Sequence, residues 1–419
     1  MLKENNYFSH IVDIINTNFP YMGKFVVFVK TKIVILLTIL LPFQNSAQTN
    51  YQDLPKNAKP FSLEFSYQNG YVFPTNDFVS GNNAENEKIN AFQTFSTKFT
   101  KQTVGIKLWE QVYNYPEYGL GLYLVDFHNP EEIGLPIAIY CYFTAPFHRW
   151  EKFTLNYEAG FGVAFNWKNY SPSNTYNNAI GAKYTVYVDL GIKVEYQLPK
   201  RFSLGLGFSL THFSNGRLKE PNYGLNTIAP KISLKYRLYK SKLQFIKQNI
   251  PAFKKKNELY LSAFFGLKNI IYDSLNIAAS EKYEGESYYV FGLSTLFNRQ
   301  VSYKSKIGFG IDFSYDGSVN AQIAVDNGQL QISGRAFIDK LQVSIFPSYE
   351  LVINKVSVII QPSFYIYRKK LKNQSPVFYQ RVGLKYNFYK NFYVGLNLRA
   401  YQFHISDFIE WNIGYRISK

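Results

Sequence analysis

From Phe61 onward, apolar and polar residues alternate one for one through segment after segment of this chain. The first segment sets Phe61, Leu63, Phe65 and Tyr67 against Ser62, Glu64, Ser66 and Gln68. A period of two puts successive side chains on opposite faces of an extended backbone, so the pattern predicts strands. An Asn- and Glu-rich loop at 76–90 follows, and then alternating segments at 99–112, 118–127, 133–144, 152–167 and 183–198. The clearest stretch is 202–238. Phe202, Leu204, Leu206, Phe208 and Leu210 oppose Ser203, Gly205, Gly207, Ser209 and Thr211, and a polar loop leads to a return strand carrying Ile228, Ile232, Leu234, Tyr236 and Leu238. The alternation lapses over 239–257, where Lys240, Lys242, Lys247, Lys254, Lys255 and Lys256 describe a solvated connector. It resumes at 258–268, 288–297, 307–315, 341–351, 356–367, 378–388, 392–403 and 408–417. No run reads as an amphipathic helix, and no fixed-period repeat is visible.

Two all-β architectures hold this many strands. A soluble sandwich turns apolar faces inward, whereas a membrane barrel turns them outward and keeps small or polar residues in the lumen. Small residues opposite large apolar ones, as at 202–211, suit a narrow lumen, and the segments are long enough to cross a bilayer at a tilt. The expectation is a transmembrane antiparallel β-barrel. Its edges must pair within lipid, so it should close with an even number of strands, about 12 to 16. The strands of 48–238 and those of 258–419 are read as one barrel, joined by the connector at 239–257, with a separate eight-stranded unit followed by a second one as the alternative. With the N-terminus periplasmic, the strand bearing His212 is the seventh and ends at the outer rim, while the connector lies in the periplasm.

Composition agrees with that setting. Aromatic residues make up 18% of the chain, with 36 Tyr and 37 Phe, which suits strands and interfacial girdles. The single Cys141 excludes an internal disulfide and any multi-cysteine metal site, and its neighbours make it buried or lipid-facing. Near the N-terminus, Lys24, Lys30 and Lys32 precede the apolar run 33–43, and Ala47 ends a short polar stretch. This describes a secretory signal cleaved after Ala47, with Met22 an alternative start. The run is short for a membrane-spanning helix. The formal net charge of +17 invites a nucleic-acid partner. However, the basic residues are scattered and the chain is exported, so anionic lipid headgroups or glycolipid phosphates are the expected contact.

Candidate chemistry sits where the alternation meets the loop. Stepping by two along the apolar face of 202–210 reaches His212 and then Ser214, and stepping back from Ile228 reaches Asn226. Three polar groups thus continue faces that are otherwise apolar.

The motif His212-Phe-Ser214-Asn215-Gly216, followed by Pro221-Asn222-Tyr-Gly224-Leu-Asn226, resembles outer-membrane lipid A deacylases of the PagL type, a group also called acyloxyacyl hydrolase-like. The resemblance is local and extends weakly over the first eight segments; the short members of the family have no counterpart to the half after Asn257. It implies a bacterial outer-membrane enzyme that removes an ester-linked acyl chain from lipid A, the membrane lipopolysaccharide being its partner. Under that resemblance Ser214 is the nucleophile and His212 its base. Asn215 and Asn222, with the Gly216 backbone N–H, stabilise the oxyanion. A hydroxyl attacks an ester only when a base takes its proton and donors await the developing charge. No metal or cofactor is implied, nor any protein partner. The departure is Asn226, where short members carry glutamate. An asparagine can orient a histidine but supplies no full charge to an imidazolium, so some activity should be lost.

Other polar groups fit structural roles better. Glu220 is a carboxylate near the motif with no position set by sequence. His404-Ile-Ser406-Asp407 repeats H-x-S without the asparagine and glycine context, and His128 and His148 sit beside prolines with no second ligand at metal spacing. Arg149 with Lys152, and Arg217 with Lys219, could meet glycolipid phosphates. The strand glycines Gly119, Gly121, Gly308 and Gly310 precede no helix and so form no phosphate loop. Two rival functions remain open: a non-catalytic, porin-like or structural barrel retaining a degenerate motif, favoured by a charge-lined lumen, and a phospholipase sharing the same chemistry.

Overall fold

The alternating segments are strands. The computed structural model describes residues 60–239, 243–332, 334–335, 337–402 and 405–418. The segment 1–47 with its expected cleavage site, Lys240, Lys242 and His404 lie outside the described residues. Among the described residues the first half contains β1 (Phe61–Val72), β2 (Ala91–Gln102), β3 (Glu117–Asp126), β4 (Gly134–Arg149), β5 (Phe153–Trp167), β6 (Thr185–Gln197), β7 (Phe202–Ser214) and β8 (Leu225–Arg237). The second contains β9 (Lys256–Lys268), β10 (Tyr288–Gln300), β11 (Ser305–Asp316), β12 (Leu341–Ile353), β13 (Val356–Tyr367), β14 (Phe378–Tyr389), β15 (Phe392–Tyr401) and β16 (Ile405–Ser418). Among the described residues three short α-helices, none expected from the pattern, lie in the turns: α1 (Leu108–Val112), α2 (Ile277–Tyr283) and α3 (Val319–Asp326).

One strand departs from its expected place. Alternation pointed to 99–112, whereas β2 occupies Ala91–Gln102 and the remainder coils into α1. In β2 the outward positions include Gln93, Thr97 and Lys101, so polar residues occupy both faces and the period is blurred.

The larger correction concerns closure. The sixteen strands do not form one barrel. β1 pairs antiparallel with β8, from Ser62↔Arg237 to Val72↔Thr227, and β9 pairs with β16, from Glu258↔Ser418 to Gly266↔Glu410. Each set of eight closes on itself, leaving no edge strand exposed to lipid. Local alternation is the same for a strand in either arrangement, so it could not distinguish them.

Both lumens are filled. In the first barrel Glu158 lies 3.0 Å from Lys98, 3.2 Å from Lys193 and also against Lys231, while Glu64 meets Lys193 at 2.8 Å. Lys235 bridges Glu117 at 2.8 Å and Glu195 at 2.5 Å. Towards the rim a layer of Tyr123, Tyr140, Tyr187 and Phe213 packs ring against ring. A side-chain carbon at Gly121 would fall 2.2 Å from the Tyr140 ring, so glycine makes room for that layer. The second barrel is closed by Arg381 on Asp312, Lys385 on Glu350, Arg399 on Glu410 at 2.7 Å and Lys306 on Glu258 at 2.6 Å. Unpaired charges in so dry an interior would be very costly, and nearly every one has an opposite neighbour. The outer surface is apolar, with Phe65, Leu206, Phe208 and Ile232 exposed on one barrel and Phe291, Leu293, Phe309 and Phe313 on the other. Cys141 likewise faces outward.

Like elements of the two barrels meet at both ends. At the inner end, the Tyr113 hydroxyl in the turn between strands two and three donates to the Val352 carbonyl at 2.7 Å, and Lys304 in the matching turn of the second barrel lies over its ring. The connector is pinned there as well, through Ile246 N–H to Val104 O and Gln248 N–H to Gln111 Oε1, both 2.9 Å. At the outer end, the loop between β7 and β8 touches β15 and β16, again the seventh and eighth strands of the partner barrel.

Candidate active site

β7 and β8 place the candidate residues by register. His212 sits opposite Asn226 in the ladder, one residue pair from the loop. His212 shares the outward face with Leu206, Phe208 and Leu210, as the parity required. Ser214 follows on the same face but is only 7% exposed, because the loop turns over it.

Asn226 Oδ1 lies 2.7 Å from His212 Nδ1. The other end of that amide donates from Nδ2 to Thr75 Oγ1 at 3.3 Å. An acceptor facing Nδ1 requires the proton there and leaves the Nε2 lone pair free. Thr75 comes from the β1–β2 loop, and its neighbour Asn76 donates to the Gly224 carbonyl at 2.9 Å. Neither residue carried a sequence signal, since nothing in a loop far upstream marks it as a neighbour of β8.

Ser214 Oγ accepts two hydrogen bonds, from the Gly216 N–H at 3.1 Å and from Asn222 Nδ2 at 2.8 Å. Asn222 is oriented for this by its Oδ1, which takes the Asn215 N–H at 2.9 Å. Asn215 therefore stands one step back from the expected donor position. Its own N–H serves Asn222, and its Nδ2 donates to the Lys219 carbonyl at 2.7 Å. Gly224, at φ +74°, lets the returning chain pass close beneath both residues; a side-chain carbon there would sit 3.3 Å from the His212 ring and 3.6 Å from Ser214 Cβ. His212 and Ser214 thus flank one small space. Among the described residues no hydrogen bond joins them, the serine oxygen being turned towards its two N–H donors.

Glu220 does not approach the histidine. It pairs with Arg217, which also reaches the Tyr401 hydroxyl of the second barrel at 3.3 Å. Burial works against the Arg217 charge, but Glu220 and Tyr401 together hold the guanidinium above its ordinary pKa. The remaining candidates lie elsewhere. His128 is exposed beside Asp126, His148 packs at a tilt against Trp150, Arg149 donates to the Asn114 and Tyr115 carbonyls, and Asp407 pairs with Lys268.

A family model described as lipid A 3-O-deacylase (PagL) matches residues 93–235, and one described as acyloxyacyl hydrolase, C-terminal domain, matches residues 257–419. The chain belongs to the PagL-type acyloxyacyl hydrolase family. The two matches follow the two barrels. Membership in this family places the protein in the bacterial outer membrane. Among solved structures, the outer membrane enzyme PagL is 16% identical over 41% of this chain and 97% of its own, with a TM-score of 0.26. A Rhodopseudomonas blastica porin triple mutant is 10% identical over 86% and 99%, with a TM-score of 0.17. The Pseudomonas aeruginosa outer membrane protein opdK is 12% identical over 86% and 99%, with a TM-score of 0.21. No curated protein matches the chain.

Proposed function

We propose that this PagL-type lipid A deacylase of the outer membrane hydrolyses an ester-linked acyl chain by a Ser–His mechanism at a site open to the lipid. The observation that carries the reading is Ser214 Oγ, seated between two N–H donors and flanking the same space as a histidine whose Nδ1 is held. Rotation of the hydroxyl towards His212 gives its proton to Nε2 as Oγ attacks the ester carbon. The Gly216 N–H and Asn222 Nδ2, released from the serine, then meet the oxyanion. Collapse expels the sugar oxygen, which takes the proton from His212, and leaves an acyl-serine. Water, deprotonated by the same nitrogen, attacks the acyl carbon, and the Ser214 oxygen leaves with that proton as the fatty acid is released. Asn226 keeps the imidazole in the tautomer this cycle needs, with the amide dipole in place of a carboxylate. The acyl chain need not leave the bilayer, because His212 continues the apolar outward face.

The porin-like alternative expected a charged lumen. Charged side chains do line both lumens, as that reading expected, but they pair with one another across the interior, which argues against an open pore.

The test is mass spectrometry of lipid A from cells expressing the wild type or Ser214→Ala. Loss of one acyl mass in the wild type alone is expected; unchanged lipid A beside a folded, membrane-inserted wild type would refute the reading. Fatty acid released from phospholipid vesicles free of lipid A would instead favour a phospholipase.

A further inference from the structure

We infer that the second barrel acts on the reaction, with Tyr401 and Ile409 as positioning residues that hold the turn bearing the Gly216 donor. This rests on the Ser214 reading above. Gly216 and Arg217 both adopt left-handed backbone conformations, φ +63° and 67°. The two residues form the centre of a tight turn, closed by the Leu218 N–H on the Asn215 carbonyl at 3.3 Å, beyond the last paired residues of the strands. Besides that bond within its own loop, the turn is backed by the other barrel. A side-chain carbon on Gly216 would fall 2.6 Å from Ile409 Cδ1 and 3.5 Å from Leu398 Cδ1, so the bare α-carbon is packed on β15 and β16. Ile409 belongs to the outward face of its barrel and yet is only 7% exposed, while Trp411, the next outward residue, is 58% exposed. The seal is confined to the level of the turn. One residue further, Arg217 is fixed on two sides, by Glu220 within the loop and by the Tyr401 hydroxyl across the interface.

The Gly216 N–H that meets Ser214 Oγ is therefore positioned by a wall the first barrel does not own. Tyr401 and Ile409 touch neither Ser214 nor His212, so their effect passes through Gly216 and Arg217. An oxyanion donor displaced by about an ångström can cost about a hundredfold in rate, which makes such a clamp worth having.

Tyr401→Phe and Ile409→Ala, each made in the full chain, test this, with Ile409→Val as the conservative control. Two readouts are compared: deacylation kinetics on lipid A, and the rate at which a fluorophosphonate probe labels Ser214. Tyr401→Phe removes one hydroxyl and is expected to lower kcat and the labelling rate together by about tenfold, with KM and the heat-modified gel mobility unchanged. Ile409→Ala should lower both further, and Ile409→Val should restore them. Labelling and turnover at wild-type rates in both variants would overturn the clamp and leave the hydrolase reading standing. A wild type that never labels at Ser214 would overturn both.

Discussion

Asn226 faces His212 across the β7–β8 ladder, with its amide oxygen 2.7 Å from Nδ1 and its amide nitrogen on Thr75. The contact supplies orientation without charge. Asn226→Ala should lower kcat by at least about tenfold, since the ring loses the partner that selects its tautomer. Asn226→Glu should raise turnover above wild type by stabilising the imidazolium formed during attack. Steady-state deacylation assays on lipid A check both; a glutamate variant no faster than wild type would mean that charge at this position does not limit the rate.

Asn222 has two tasks that one substitution separates. Its oxygen takes the Asn215 N–H and its nitrogen serves Ser214. Asn222→Asp retains the acceptor and loses the donor. We expect kcat to fall by about 10²–10³ with the barrel still folded, the range for removal of one oxyanion donor. Retained turnover would assign the donor role to Gly216 alone.

Glu158 is the hub of the first lumen, with Lys98, Lys193 and Lys231 around it and only 2% of its side chain exposed. Glu158→Ala leaves three buried ammonium groups short of one carboxylate. The expected loss is about 3–5 kcal/mol of stability, seen as a lower urea midpoint in detergent or liposomes. A midpoint equal to wild type would show that water reaches those lysines.

Filled lumens also make a prediction about transport. Purified protein in a planar bilayer should give no stepwise conductance above that of the lipid alone. Regular openings would revive the porin-like reading. They would require the ion-paired layers Lys98–Glu158 and Arg399–Glu410 to part.

Much of this protein was legible in its residue order. A strand's period is set by the covalent backbone, so Phe202 to Leu210 declared an outward face without reference to any partner. Extending that parity placed His212 and Ser214 on the outward face at the rim of the seventh strand, and Asn226 on the eighth strand opposite His212. The H-x-S-N and P-N-x-G motifs pointed to the family. Where polar residues filled both faces, as in β2, the same logic slipped by several residues.

Closure was beyond that logic. Whether β8 returns to β1 or runs on to β9 depends on hydrogen bonds between strands far apart in sequence and on the twist that brings them together. Alternation reads the same in both cases, so two barrels looked like one. The donors on Ser214, the arrival of Thr75 behind Asn226 and the pressure of Ile409 on Gly216 have the same origin. They join segments whose only relation is spatial, and no neighbouring residue in the chain records them. The face of each side chain is a local property and came from sequence; which side chains meet is a property of closure, and only the tertiary structure decided it.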